Sequence, residues 1–265
     1  MYRKNPQKHF LSVIVPVYKQ ESTIITNLKQ LIKVLNQIRY DYEIVVVIDG
    51  VVDKTILKLK KSKLKKIKVL AYLQNKGKGF AIRLGMSQAK GDYVLFIDSG
   101  LEIDPNGISM LLEHMEWYRA DIIVGSKRHP ASLVEYNWQR KILSFGYYYL
   151  VKLIFGIKVR DTQAGIKIYK KKALVKILPR LVEKRFAGDL EILVVASVLG
   201  YKRIYEAPIK LNYNLAGLSS AASFHSIKGI FVDTLAIFYR KNILRYYSKP
   251  HSRIVYPSKI YSFSH

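Results

Sequence analysis

Short apolar runs alternate with amphipathic stretches along the first half of the chain. Leu11–Pro16 (LSVIVP) is apolar and rich in β-branched residues, which predicts a strand. After Glu21–Ser22, residues Ile24, Ile25, Leu28, Leu31, Ile32 and Leu35 share one face of a 3.6-residue repeat, which predicts a helix. Glu43–Asp49 (EIVVVID) shows no polar alternation, the signature of a strand buried on both faces. The pattern then repeats. A Lys-rich helix over Asp53–Lys65, a strand at Lys68–Leu73 and a helix at Lys78–Gln88 follow in turn. A strand at Asp92–Asp98, a helix at Asn106–Trp117 and a strand at Asp121–Gly125 complete the series. Repeated βα units of this kind predict an α/β fold whose mostly parallel sheet is covered by helices on both faces.

Beyond Gly125 the pattern changes. Asn137–Phe155 reads as one long aromatic-rich helix or two short ones, and Asp161–Tyr169 as a turn leading into a strand. Phe186–Leu199 is helical, Tyr201–Ala207 is a short strand stopped by Pro208, and Ser226–Tyr239 is a last helix before a basic, aromatic tail. With no repeat and no low-complexity linker, the expectation is one domain over 1–210. The segment 211–265 is expected as an amphipathic, basic extension packed on that domain or on a membrane. No run of about 18 apolar residues occurs, so no transmembrane helix is expected. The basic opening MYRKNPQKHF is not followed by an apolar segment of signal-peptide length, so no secretory leader is expected either.

Composition narrows the partners. Lys and Arg number 45 against 19 Asp and Glu, a formal charge of +26 over 265 residues, which calls for an anion: nucleic acid, a phosphorylated substrate or an acidic membrane. The absence of cysteine excludes disulfides, thiolate zinc sites and a cysteine nucleophile.

Ligands of open parallel sheets sit beyond the carboxyl ends of the strands. Polar residues gather there: Tyr18 and Glu21 after the first strand, Asp49 after the second, Asn75–Gly79 after the third and Asp98 after the fourth. Any one of them suits a cap or turn, but together they suit a nucleotide, with a carboxylate for ribose or base and amides for phosphate. Asn75-Lys-Gly-Lys-Gly79 matches neither a dinucleotide fingerprint nor a Walker A loop, and a plain turn before a helix explains it equally well. Asp98-Ser-Gly-Leu-Glu102 is sharper. Its two carboxylates can flank Mg²⁺ or Mn²⁺ holding a diphosphate, since phosphates and water complete such a shell. The competing reading makes Asp98 a turn former and Glu102 a solvated loop residue.

Several segments in this order resemble a family 2 glycosyltransferase with the GT-A fold. They are Pro16-Val-Tyr-Lys-Gln-Glu21, Ile48-Asp-Gly-Val-Val-Asp53-Lys-Thr55, Asn75–Gly79 and Asp98-Ser-Gly100. Gly125-Ser-Lys-Arg-His129, Arg160-Asp-Thr-Gln-Ala-Gly-Ile-Lys-Ile-Tyr169 and Phe186-Ala-Gly-Asp-Leu-Glu-Ile-Leu193 are similar to the dolichyl-phosphate glucose and mannose synthases. The resemblance covers Leu11–Pro208. It implies nucleotide-sugar contacts at Pro16, Tyr18, Glu21, Asp49, Lys78 and Asp98, and a catalytic acidic group of Asp98, Asp189 and Glu191. It implies a metal, Mg²⁺ or Mn²⁺, at an Asp-x-Asp that here reads Asp98 and Gly100, so Glu102 is expected to supply the missing carboxylate. The acceptor phosphate falls to Lys127, Arg128 and Arg140, with Arg160 a further candidate.

The implied reaction is inverting transfer of glucose or mannose from a UDP- or GDP-hexose to polyprenyl or dolichyl phosphate. A phosphate monoester has a second pKa near 6, so it attacks with little need of a general base. The resemblance places such an enzyme peripherally on the cytoplasmic face of a membrane. Aromatics interleaved with cations suit an anionic membrane surface, both in the stretch Trp138–Phe155 and in Ile227–Tyr247. Core helices explain both stretches equally well. The Lys58–Lys68 run is a solvated helix face, or a site of attraction to anionic lipid. Asn212–Ser220 carries no basic residue where relatives place Arg and Lys. Three rival readings are a glycan or protein hydroxyl as acceptor, a metal-deficient scaffolding homologue, and nucleic-acid binding. The last is not expected, because it leaves the carboxylate-lined rim without purpose.

Overall fold

The computed structural model describes residues 9–134, 138–212, 224–251, 256 and 259–264, with backbone only at 138–143 and 224–228. Among these, eight strands form one sheet: β1 (Phe10–Val17), β2 (Asp41–Asp49), β3 (Ile67–Tyr72), β4 (Tyr93–Ile97), β5 (Ile122–Ser126), β6 (Ile166–Lys170), β7 (Ile204–Pro208) and β8 (Tyr261–Ser264). Their spatial order is β7-β5-β6-β4-β1-β2-β3-β8. The β1–β2, β1–β4, β2–β3 and β5–β7 pairs are parallel. The chain builds outward from β1 through β2 to β3, then returns to place β4 on the other side of β1. That reversal is the switch point at which doubly wound sheets open a crevice for ligands.

Side-chain alternation divides the sheet into two buried layers. Ile14, Val45, Val47, Val94, Phe96 and Val124 face one way. They pack under helices α3 (Lys78–Ser87), α5 (Trp138–Phe155), α6 (Lys171–Ile177) and α7 (Gly188–Val198), together with Ile237 of α8 (Phe224–Phe238). Val13, Val15, Val46, Leu95, Ile97 and Ile123 face the other way. They lie against α1 (Ile24–Leu35), α2 (Thr55–Lys61) and α4 (Gly107–Trp117). The unbroken apolar runs of β1 and β2 thus fit strands covered on both faces.

Two features depart from the alternating pattern of the first half. β6 runs antiparallel to both β4 and β5, so its amino end lies at the carboxyl end of β4. This brings the turn Asp161–Gly165 to the ligand-binding rim, where the Gly165 carbonyl accepts from the Asp98 N–H at 3.0 Å. The second is the tail, which returns as β8 antiparallel to β3, while Tyr247 and Ile237 are fully buried. α5 is a single helix of 18 residues. α2 ends at Lys61, short of the expected Lys65, and α6 occupies a stretch for which the sequence pattern predicts no element.

Candidate active site

Asp98 follows β4 at the switch point, and its carboxylate is clasped by Lys78 at the start of α3. The Lys78 ammonium lies 2.8 Å from Oδ1 and 3.0 Å from Oδ2. The same ammonium is 3.9 Å from Asp189 Oδ2 in the first turn of α7, and Asp189 Oδ1 lies 3.3 Å from Lys167 in β6. Four elements therefore converge on an alternating row, Asp98–Lys78–Asp189–Lys167, of zero formal charge. Burial pushes the Lys78 ammonium down, but Asp98 and Asp189, with Glu102 beyond them, outweigh it and hold it above the ordinary lysine value. Lys167 is fully buried, and there burial wins and lowers it despite Asp189.

The backbone around Asp98 is fixed from three sides. Asn27 Nδ2 donates to the Ser99 carbonyl at 2.8 Å, and Asn212 Nδ2 donates to the Leu101 carbonyl at 3.0 Å. The third support is Gly165, where an added Cβ would stand 3.0 Å from Asp98 Cγ and nearer still to Oδ2. Gly100 is the opposite case: a Cβ there would meet only Glu102 Cγ, at 4.0 Å. Asp98 is two-fifths exposed and already carries a cation, the Lys78 ammonium, on both oxygens. Glu102 stands near enough to bias that ammonium. Two carboxylates and an open face fit a divalent ion whose remaining ligands are diphosphate oxygens and water. Among the described residues no group of three His, Cys, Asp or Glu forms a metal cluster.

Asp49 holds the neighbouring loop. Its Oδ1 accepts from the Tyr72 hydroxyl at 2.8 Å and the Lys76 N–H at 2.7 Å. Its Oδ2 accepts from the Gly77 N–H at 2.9 Å and from Asn75 Nδ2 at 3.1 Å. The loop's glycines serve close approach: a Cβ at Gly77 or Gly79 would lie 3.1 or 3.2 Å from the Lys184 carbonyl carbon. The Lys184 carbonyl also accepts from the Phe80 N–H at 3.0 Å, so part of the α3 amino terminus is taken up by protein. Asn75–Gly79 is thus a packed turn that delivers Lys78 to Asp98.

The Glycosyl transferase family 2 model matches residues 12–178. The dolichyl-phosphate beta-glucosyltransferase of Dictyostelium discoideum is 30% identical over 254 residues, 89% of this chain and 76% of that protein. The protein of the same description from Saccharomyces cerevisiae is 29% identical, covering 85% of this chain and 73% of its own. The chain belongs to glycosyl transferase family 2. Its fold is shared with glucosyl-3-phosphoglycerate synthase from Mycobacterium tuberculosis, solved with Mn²⁺, UDP and phosphoglyceric acid. That structure superposes with a TM-score of 0.63 at 16% identity, over 87% of this chain and 78% of that one. The GT-A expectation is borne out, and the protein is a glycosyltransferase.

The other expected site residues of this glycosyltransferase fall in three places. Tyr18 is exposed just past β1, whereas Pro16 lies within β1, paired to Val47. Glu21 accepts from the Lys54 N–H at 2.9 Å, while Asp53 accepts from the Glu21 N–H at 3.2 Å, a reciprocal tie between two rim loops. On the acceptor side, Lys127 and Arg128 follow β5, which runs in the same direction as β4 and so ends at the same rim. The Lys127 N–H donates to Asp161 at 3.0 Å. Arg128 bonds Ser144 and stacks 4.7 Å over Phe145 and 5.5 Å over Tyr148. Arg160 pairs with Glu206 at 3.9 Å. Arg140 lies in α5, but its side chain, like the whole of 213–220, is outside the described residues.

Glu191 does not join the row. It is fully buried, accepting from the N–H groups of Val182 and Glu183 at 2.9 and 2.8 Å and from the Tyr247 hydroxyl at 2.6 Å. Burial pushes its carboxyl up to about 7. These bonds tie α7 to the segment after α8, so the acidic pair divides: Asp189 sits at the rim row and Glu191 in the core. Sequence reasoning names Gly165 and Lys167 only within the motif that carries the resemblance and assigns neither a role in the site. A lysine between Ile166 and Ile168 reads as the solvent side of a strand, but here it shares the face of Phe96 and Val124, which α7 covers, and so meets Asp189.

Proposed function

We propose that this enzyme transfers glucose from a nucleoside diphosphate donor, UDP- or GDP-linked, to dolichyl phosphate or a related polyprenyl phosphate, with inversion. The carrying observation is the row Asp98–Lys78–Asp189 at the switch point, which offers both a cation site and an ammonium where a diphosphate leaves. The acceptor and the sugar follow from relatives about 30% identical over most of the chain.

In this reading an acceptor phosphate oxygen attacks the anomeric carbon, and the bond from that carbon to the donor diphosphate breaks. Asp98 and Glu102 would hold a Mg²⁺ or Mn²⁺ ion, which supplies charge neutralisation for the leaving diphosphate when bound. Lys78 adds its own positive charge at the same place. Asp189, nearly buried between two lysines, orients the hexose; the phosphate nucleophile is ionised at neutral pH and needs no proton removed. Lys127 and Arg128, with Arg140, bind the acceptor phosphate. Tyr18, Glu21 and Asp49 shape the nucleotide side, Asp49 through the loop that carries Lys78.

Among the described residues no helix is long and apolar enough to cross a membrane. α5 and α8 nonetheless expose apolar stripes at helical spacing, Phe145, Tyr149 and Leu153 on one, Phe231, Leu235 and the following Tyr239 on the other. The Tyr147 hydroxyl lies 3.0 Å from Thr234 Oγ1, and Lys241 sits over the Phe155 ring, so the two stripes belong to joined helices. Lys241 and Arg245 follow the second stripe, whereas Arg240 is turned inward onto Glu183 and Glu191. This combination supports peripheral binding to an anionic membrane surface, with the cytoplasmic face as the side that our reading assigns.

The test is transfer of labelled glucose from UDP-glucose and from GDP-glucose to a short prenyl phosphate, with and without Mn²⁺. Metal-dependent formation of the prenyl phosphoglucose is expected. No turnover of any common nucleotide hexose by folded protein would overturn the proposal.

A further inference from the structure

Asp189 has two lysines, and they are not equivalent. Lys78 is partly exposed, 3.9 Å from Asp189, and its closer partner is Asp98. Lys167 is fully buried, 3.3 Å from Asp189, and its head is pinned by the Ala164 carbonyl at 2.8 Å and the Phe96 ring at 4.9 Å. A buried ammonium is expensive to desolvate, and an apolar side chain of similar length would fill the space between Phe96 and α7. The charge therefore has a use other than packing.

Charge counting identifies that use. Without Lys167, one ammonium would answer Asp98 and the nearly buried Asp189, with the charge of Glu102 beyond them, and Lys78 would be divided among them. With Lys167 present the row is neutral and Asp189 is compensated from behind. We propose that Lys167 is a positioning residue, the fixed counter-charge of Asp189 that leaves Lys78 free to exchange Asp98 for the donor's diphosphate. This rests on the reading of the site as a nucleotide-sugar site. The pinning by Ala164 also links this counter-charge to the Asp161–Gly165 turn, so the turn that supports Asp98 supports Asp189 as well.

The experiment is calorimetric binding of UDP and GDP, with Mn²⁺, to the full chain as wild type, Lys167→Met and Lys167→Met/Asp189→Asn. In the single variant the uncompensated Asp189 draws Lys78 inward, and nucleotide affinity should fall at least 10-fold. In the double variant that demand is gone. Affinity should return to within threefold of wild type while glucosyl transfer stays at least 30-fold down. Wild-type affinity in the single variant, or loss not restored in the double, overturns the inference. If the single variant does not fold, a folded, nucleotide-binding double variant supports it and an unfolded one overturns it. Wild type binding neither nucleotide would instead overturn the proposed function, and the inference with it.

Discussion

Gly165→Ala should separate activity from stability. The added Cβ would stand 3.0 Å from Asp98 Cγ, and carbon atoms in ordinary contact keep about 3.5–4.0 Å, so the carboxylate must retreat by roughly 0.5–1 Å. Asp98 can do so because its side chain is two-fifths exposed, unlike the backbone neighbours of Gly77 and Gly79. Overpacking in a closed core costs about 1–3 kcal/mol, and an outlet to solvent puts this case at the low end, about 1 kcal/mol. The retreat breaks a bidentate clasp of 2.8 and 3.0 Å and moves the carboxylate that is to face the donor. A misplacement of that size costs on the order of 10²-fold in rate. The assay is kcat/KM for glucosyl transfer to a prenyl phosphate beside a thermal melt. A fall of about 100-fold with Tm lowered by only a few degrees is expected. A kcat/KM within threefold of wild type would refute the placement of Asp98 at the reacting centre, since Asp98 supplies the two nearest atoms to the added Cβ.

Gly100→Asp should be tolerated, because a Cβ there meets only Glu102 at 4.0 Å, and should tighten Mn²⁺ binding in titrations of the folded protein several-fold. Unchanged affinity would show that residue 100 does not face the cation. Glu191 has its folded carboxyl raised to about 7 by burial, so its contribution to stability is complete below the unfolded value near 4.5 and is lost as pH rises through 7. Wild type should therefore lose roughly 2–3 kcal/mol relative to Glu191→Gln between pH 4.5 and 8, read from paired melts; a constant difference would refute a raised carboxyl. Replacing Phe145, Tyr149 and Leu153 together by Ser should abolish flotation with anionic vesicles and leave Tm near wild type, because all three are exposed. Retained flotation would move the membrane contact elsewhere.

What the sequence made legible here was local, and what it hid depended on strand direction. Periodicity locates α1 to α4, each with one apolar face, and unbroken apolar runs locate strands buried on both faces; the polar residues that end those runs lie at the rim. The Asp161–Gly165 turn and Lys167 carry no such pattern. Their role comes from β6 entering antiparallel between β4 and β5, a choice made by long-range pairing. The same holds for Asp189 and Glu191, two residues apart on α7. Positions i and i+2 lie on different sides of a helix, so one carboxylate turns to Lys78 and Lys167 and the other to Tyr247. A motif read as a pair of acids is, in three dimensions, one acid at the site and one that anchors the chain's return. This division predicts that conservative changes at the two positions fail differently. Asp189→Asn should remove turnover even at temperatures where the protein is fully folded, with a melt lowered at all pH values because the buried Lys167 loses its counter-charge. Glu191→Gln should remove the part of the melt's pH dependence that the wild-type carboxyl contributes, and leave turnover tracking the folded fraction. Equal loss of turnover in both, at pH values where both are folded, would restore Glu191 to the reacting centre.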